Sequence, residues 1–165
     1  MRHRKLRAGL SVVALSLLAA GTPAVAGAQG GDAGETARHC NFDAMTGQQR
    51  CFGSVQEATA DVRARSGVRA GEITQATLFD EKDFGGASFT VYGDGLCEKN
   101  DQVDYQINLP EDWQNRVSSV QPWGDCWIWL YPEPDLGGDR DGPFKQNTGD
   151  VGELMNDRTR SVGLS

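Results

Sequence analysis

Histidine is scarce in this 165-residue sequence, in which only His3 and His39 occur. A nucleophilic triad needs a histidine or another base, and a hydrolytic zinc ion needs His or Cys ligands. One histidine beyond the N-terminal segment does not supply either arrangement. We therefore predict that the protein is not an enzyme.

Long apolar runs are also lacking, except for one short run near the start. Residues 8–20 are apolar and uncharged, and they follow four basic side chains, Arg2, Arg4, Lys5 and Arg7. The run is shorter than the roughly 18 residues of a membrane span. Two triplets that fit the A-x-A cleavage rule follow, one ending at Ala26 and the other at Ala28. These features predict a signal peptide over residues 1–28, cleaved after Ala28 or Ala26, and an exported protein without a membrane anchor.

Clusters of positive charge are missing from the rest of the chain. After the predicted cleavage, 137 residues carry 12 basic and 23 acidic side chains, a net charge of −11. Nucleic-acid backbones and anionic membranes both attract clustered Lys and Arg. We expect neither a nucleic acid nor a membrane as partner. The length predicts one ordinary domain, which we expect to be a monomer.

The four cysteines lack the CxxC spacing of a zinc site. An even number of cysteines in a small exported domain indicates disulfides, and four cysteines allow three pairings. Cys40 and Cys51 enclose a turn signal at residues 45–47, which favours a stapled hairpin. That pairing leaves Cys97 with Cys126.

The segment before the main domain contains one helical pattern. Ser54 and Glu57 form a capping box, and apolar residues follow at helical spacing. We predict a helix over residues 55–65, packed on something larger because its apolar face is narrow. The predicted unit of residues 29–74 therefore consists of a glycine-rich leader, a cysteine-stapled hairpin and this helix.

From residue 75 to residue 165 the pattern changes to short β-rich runs. Candidate strands cover residues 77–79, 88–92, 117–120 and 127–131, separated by Gly, Asp, Asn and Pro. A parallel sheet would need crossover helices, which the sequence does not indicate. The spacing favours a mostly β sandwich.

An internal repeat runs through this β-rich part. Residues 78–86 recur as 130–138, with an aromatic residue, then a large apolar residue, then Gly-Gly. Residues 113–120 recur as 155–162, each ending in Ser-Val. Each half therefore has the same opening and the same close. We expect each opening to form a folded hairpin, tied by the closing Ser hydroxyl to its backbone.

These motifs resemble the two Greek keys of βγ-crystallins. The opening is aromatic-x4-apolar-x-Gly, the close is Asn/Asp-Asn/Asp-x-x-Ser/Thr-Ser, and the likeness covers residues 76–165. The resemblance implies a two-Greek-key sandwich carrying a small N-terminal hairpin-helix appendage. With its signal and cysteines, the chain is similar to exported bacterial relatives that include a small metalloproteinase-inhibitor family and a killer-toxin-like group.

The resemblance also implies a pair of calcium sites, each built from the close of one key and the opening hairpin of the other. Oxygen ligands of this kind suit Ca²⁺. At the first site Asn115, Ser118 and Glu133 are candidate ligands. Gln114 and Pro132 depart from the family pattern there, so we expect weak binding.

The second implied site has candidate ligands at Asp80, Asn156 and Asp157. Arg160 replaces the hydroxyl residue of that site, which removes an oxygen and adds a fixed positive charge. We expect this second site to be disabled. Calcium is the one cofactor that the sequence suggests.

The function implied is that of a secreted, non-catalytic binding or structural module. An alternative is an inhibitor of extracellular metalloproteases that uses a disulfide-anchored insertion at residues 93–108. A further alternative is a toxin-like agent that binds a cell-surface ligand. Of the tryptophans, Trp127 is expected in the core, whereas Trp113 and Trp123 are left open between packing and ligand contact.

Overall fold

The computed structural model describes residues 38–66 and 71–165. The predicted signal peptide and the leader at residues 29–37 lie outside the described residues. The helix, α1, covers Val55–Ser66, and short 3-10 turns cover Lys82–Phe84 and Pro134–Leu136. The strands are β1 His39–Asp43, β2 Gln49–Phe52, β3 Ile73–Phe79, β4 Ser88–Gly93, β5 Tyr105–Asn108, β6 Ser119–Pro122, β7 Ile128–Tyr131, β8 Asp141–Phe144 and β9 Ser161–Leu164.

The strands form two sheets, and each half of the repeat contributes one segment that pairs with a strand of the other half. The first sheet has the order β2-β1-β4-β3-β6 and the second β5-β9-β7-β8. β5 belongs by sequence to the first half but pairs with β9 of the second. Thr148, from the second half, forms a bridge with Val120 of β6. The prediction of a mostly β fold with two Greek keys is confirmed.

One buried cluster holds the two sheets together. Alternate residues of a strand point to opposite faces, so each strand contributes every second side chain. Leu78, Phe89 and Val120 come from the first sheet, and Ile128 and Leu130 from the second, all fully buried. Burying each such side chain contributes about 1.5–3 kcal/mol.

The N-terminal hairpin is joined to the first sheet. β1 pairs antiparallel with β2, where a disulfide connects Cys40 to Cys51. β1 also runs parallel to β4, which places the hairpin at the edge of the first Greek key's sheet. The sequence pattern indicated the hairpin but not this parallel pairing.

The helix begins and packs as its sequence indicates. Ser54 Oγ accepts a hydrogen bond from the Glu57 backbone N–H at 3.2 Å, which caps the first turn. Ala58 is buried, and its carbonyl accepts a hydrogen bond from Asn41 Nδ2 at 2.8 Å. Within residues 38–66 and 71–165, no helix is long and apolar enough to span a membrane.

The expected insertion at residues 93–108 is shorter than predicted. Gly93 completes β4, and Tyr105–Asn108 forms β5, which pairs with β9. The prediction that the insertion extends to Asn108 is wrong because Ile107 is buried in the core. The loop proper covers residues 94–104.

Candidate functional site

The closing serine of each key holds a folded hairpin, as the repeat predicted. Ser161 Oγ donates to Glu133 O at 2.6 Å and accepts from the Leu136 N–H at 3.0 Å. In the first key, Ser119 Oγ donates to Glu81 O at 2.7 Å and accepts from the Phe84 N–H at 3.0 Å. Each serine therefore satisfies one backbone acceptor and one backbone donor of a hairpin tip.

Glycine is required at the turn that closes the first hairpin. Gly86 has a φ of +70°, and an added Cβ would meet Asp80 Oδ1. Asp80 Oδ1 accepts the Ala87 N–H at 2.6 Å, so a larger residue would break this contact.

Backbone hydrogen bonds make Ser118 and Arg160 equivalent positions of the two keys. The Ser118 N–H donates to Phe79 O at 2.8 Å, and the Arg160 N–H donates to Tyr131 O at the same distance. Phe79 and Tyr131 are the aromatic residues of the two openings. Each position therefore lies beside the opening hairpin of its own key.

A second pair of hydrogen bonds crosses between the closing motifs. The Asp157 N–H donates to Val117 O at 3.1 Å, and the Asn115 N–H donates to Thr159 O at 2.8 Å. Asn115 and Asp157 both adopt left-handed backbone, with φ of 60° and 54°. Asn and Asp tolerate this conformation better than most residues. Each key thus places its Asn or Asp next to the close of the other.

This arrangement gathers three oxygens, which we call the Ser118 cluster. Ser118 Oγ lies 3.0 Å from Asp80 O and 3.3 Å from Asp157 Oδ1. Ser118 is almost fully buried. Its single hydroxyl proton can serve only one of these acceptors at a time. The cluster combines a hydroxyl, a backbone carbonyl and a carboxylate from both Greek keys.

The Asp80 carboxylate has a different task from its carbonyl. Its Oδ2 accepts a hydrogen bond from Arg116 Nη2 at 2.6 Å. Its Oδ1 accepts a hydrogen bond from the Ala87 N–H, which closes the hairpin. The Arg116 guanidinium also lies 5.1 Å from the centre of the Trp113 ring. The carboxylate is therefore held by protein donors, while the carbonyl faces Ser118.

The predicted ligands of the two sites are grouped differently in the structure. Hydrogen bonds join Ser118 to Asp80 and Asp157, which the sequence assigned to the other site. The equivalent position in the second key brings Arg160 towards the hairpin of Glu133 and the close that contains Asn115. The sequence repeat could not show which hairpin each close faces.

At the equivalent position of the second key, the Arg160 side chain bonds to the closing motif of the first key. Its Nε donates to Gln114 Oε1 at 3.1 Å, and Gln114 Nε2 donates to Leu109 O at 3.0 Å. A fixed cation bonded in this way opposes a second cation.

The Ser118 cluster fits a calcium ion in its chemistry and spacing. Ca²⁺ takes oxygen ligands at about 2.3–2.6 Å, so neighbouring ligands lie about 3–3.5 Å apart. Next to Asp157 in sequence, Asn156 has a buried Oδ1 without a hydrogen-bond partner, and its Nδ2 donates to Asp157 Oδ2 at 2.9 Å. Among the residues that the structure describes, no three His, Cys, Asp or Glu side chains converge on one point. A calcium ion here would therefore have the single carboxylate of Asp157 beside hydroxyl and backbone oxygens.

The loop at residues 94–104 is braced from inside. A disulfide joins Cys97 to Cys126, in the pairing predicted from the sequence. The Glu98 N–H donates to Asp104 Oδ2 at 2.9 Å, and Tyr105 donates to Asp94 Oδ1 at 2.8 Å. Leu96, next to the disulfide, is 57% exposed. The loop presents an apolar side chain on a constrained backbone.

The tryptophans divide between core and surface. Trp113 is buried against Phe89, with ring centres 5.3 Å apart, and Trp123 is 44% exposed. The expectation that Trp127 lies in the core is wrong. Ile128, the next residue, begins β7 and faces the core. The Trp127 ring makes a cation–π contact with Lys145 Nζ, which lies 3.5 Å from the ring centre.

The histidine beyond the predicted signal contacts a serine. His39 Nδ1 of β1 lies 2.9 Å from Ser88 Oγ of β4. Within the described part of the chain, no carboxylate pairs with this imidazole. A nucleophilic serine would need its histidine oriented by such a third group. The contact joins two neighbouring strands.

Comparison with known proteins gives similarity to solved structures alone. No family model matches the chain, and no curated protein matches it. Similar solved structures include a βγ-crystallin domain from Clostridium beijerinckii, at 18% identity and a TM-score of 0.43, covering 55% of this chain and 95% of that one. Another is the N-terminal domain of protein S, at 19% identity and a TM-score of 0.42, covering 55% and 94%. A βγ-crystallin domain from Flavobacterium johnsoniae has 16% identity and a TM-score of 0.41, covering 55% and 92%.

Proposed function

We propose that the protein is an exported, non-catalytic binding module whose two Greek keys are bridged by one weakly bound calcium ion. The observation that carries this proposal is that Ser118 Oγ lies 3.0 Å from Asp80 O of its own key and 3.3 Å from Asp157 Oδ1 of the other key. The two disulfides support the exported part, because disulfides persist in oxidising compartments.

The residues of the cluster would act as ligands and as a clamp. Ser118 and Asp80 O belong to the first key, and Asp157 belongs to the second. Calcium supplies a positive charge that all three oxygens can face at once. An ion held there would favour the folded arrangement in which the keys are packed together.

Thermal unfolding in calcium, magnesium and chelator tests the proposal. Calcium at about a hundredfold excess over Kd stabilises the folded state by about 2.7 kcal/mol, which raises Tm measurably. We expect magnesium to raise Tm less, because it requires a tighter octahedral shell. Ser118→Ala should remove most of the calcium effect. Thr46→Ala, which removes a hydroxyl from the exposed β1–β2 turn, should leave the effect unchanged. A parent Tm that is equal in calcium and chelator would contradict the proposal.

A second candidate function is inhibition of an extracellular metalloprotease by the loop at residues 94–104. The observation that favours it is the exposed Leu96 beside the Cys97–Cys126 disulfide. A constrained loop loses less conformational entropy when it enters a protease cleft. The test is inhibition of a thermolysin-type protease by the parent, by Leu96→Asp and by Leu154→Asp. Loss of inhibition with Leu96→Asp alone supports this function. Absence of inhibition by the parent removes it.

A further inference from the structure

An open groove of about 460 Å³ lies on the outer face of the first sheet. Its floor consists of side chains that alternate with core residues along β3 and β4. Thr77 pairs with Thr90 across these strands, and Thr74 pairs with Tyr92. The Thr77 and Thr90 hydroxyls lie 3.5 Å apart. A floor of hydroxyl groups can both donate and accept hydrogen bonds.

Helix α1 forms one wall of the groove. Thr59, Val62 and Arg63 line it, and their spacing of three and four residues places them on one helical face. Arg63 has no carboxylate partner among the described residues. None of the described residues that line this groove is acidic. The wall therefore contributes an unpaired positive charge.

Trp123 forms the opposite wall and is held in place from two directions. Its indole Nε1 donates to Thr77 Oγ1 at 3.2 Å, and its backbone N–H donates to Gln75 O at 2.9 Å. The side chain nevertheless remains 44% exposed. A fixed, exposed aromatic ring offers a large apolar contact with little entropy left to lose on binding.

A second depression of about 180 Å³ lies on the other side of Trp123. Trp127, Lys99 and Lys145 line it. Lys99 Nζ is paired with Asp125 Oδ1 at 2.6 Å, whereas Lys145 lies over the Trp127 ring without a carboxylate partner among the described residues. Cations thus flank Trp123 on both sides in a chain whose net charge is −7.

We propose that this surface binds an acidic polysaccharide. A sugar ring combines an apolar C–H face with a rim of hydroxyl groups, which matches an exposed indole above a floor of threonine hydroxyls. Carboxylates on sugars to either side of the indole would face Arg63 and Lys145, and a guanidinium can bond a carboxylate through two parallel N–H groups. A nucleic acid also stacks on tryptophan, but its phosphate backbone needs clustered Lys and Arg, and the two depressions present only Arg63, Lys99 and Lys145 among the described residues.

This binding surface goes beyond the calcium proposal and shares no residue with the Ser118 cluster. The experiment is calorimetric titration of the exported protein with a galacturonate hexamer, in the presence of chelator. The uncharged maltohexaose is titrated in parallel. Binding of the galacturonate hexamer alone is the expected result, and the affinity should fall as salt is raised, because salt screens the charge contribution. No binding, or equal binding of both hexamers, would overturn the proposal. Neither result would bear on calcium.

Two variants and two matched controls locate the site. Trp123→Ala should weaken binding of the galacturonate hexamer by at least about tenfold, which corresponds to about 1.4 kcal/mol. Arg63→Gln should weaken it by about three- to tenfold. Leu154→Ala removes another exposed apolar side chain and Arg158→Gln removes another exposed cation, both outside the groove, and neither should change the affinity. Equal losses in controls and variants would overturn the assignment. If Trp123→Ala does not fold, Trp123→Phe and Arg63→Gln carry the same test.

Discussion

Ser118 Oγ of the first Greek key lies 3.3 Å from Asp157 Oδ1 of the second. The two residues are 39 positions apart in sequence. They meet because the closing motifs exchange backbone hydrogen bonds, Asp157 N–H to Val117 O and Asn115 N–H to Thr159 O. The oxygens of the Ser118 cluster therefore lie at the junction of the two halves of the fold.

The hairpin ties give a prediction about stability. Ser161→Ala should lower the free energy of unfolding by about 1–3 kcal/mol, because it leaves Glu133 O and the Leu136 N–H without their partner. Ser118→Ala, measured in chelator, removes a hydroxyl of the other key that bonds no backbone N–H, and it should cost less. Urea denaturation compares the two variants. A larger loss for Ser118→Ala would show that the ties are not what stabilises the hairpins.

The two disulfides should contribute unequally. They close loops with sequence separations of 29 and 11 residues. In the chain-entropy model, the longer loop contributes about 3.5 kcal/mol and the shorter about 3 kcal/mol. The Cys97→Ala/Cys126→Ala variant should therefore unfold at lower urea than Cys40→Ala/Cys51→Ala. The opposite order would contradict the loop-length explanation.

An ion pair between the keys should make stability slightly dependent on pH. Lys82 Nζ lies 2.7 Å from Asp150 Oδ2, which lowers the pKa of Asp150 and raises that of Lys82. A carboxylate whose pKa is lowered by folding stabilises the protein above its ordinary pKa of 3.8, and that contribution is lost as the pH falls through the folded value. Both side chains are about half exposed, so the effect should be small.

The measurement is Tm as a function of pH for the parent and Lys82→Met. The variant should melt slightly lower at neutral pH, and the difference should disappear in acid and in high salt. Arg158→Gln serves as a control for loss of one exposed positive charge. A difference that persists in acid would show that Lys82 acts through packing rather than through Asp150.

Much of the fold could be predicted because the sequence repeats its local chemistry. The hairpin tips need glycine at a positive φ and a serine to bond their backbone, so Gly86 and Ser161 carry visible signals. The helix was equally clear from Ser54 and Glu57. Each of these features depends on residues that are close in sequence or are present twice.

Other features depend on long-range packing and left weak signals. β5 has a single buried apolar residue, Ile107, and its partner β9 lies more than 50 residues away. The parallel pairing of β1 with β4 has no local signal either. The grouping of Ser118 with Asp157 required knowing which close faces which hairpin. The expectation of a core position for Trp127 was wrong because the alternation of side chains along β7 puts Ile128 and Leu130 on the core face.

The number of calcium ions bound per chain tests the role of the Ser118 cluster most directly. Calorimetric titration should find one weak site in the parent and none in Ser118→Arg, which places a cation among the oxygens. Arg160→Ser should gain a second site, because it removes the guanidinium from the equivalent position near Asn115 and the Glu133 hairpin. Equal, negligible heats for all three proteins would show that these motifs serve only as turn scaffolding and would contradict a calcium-bridged module.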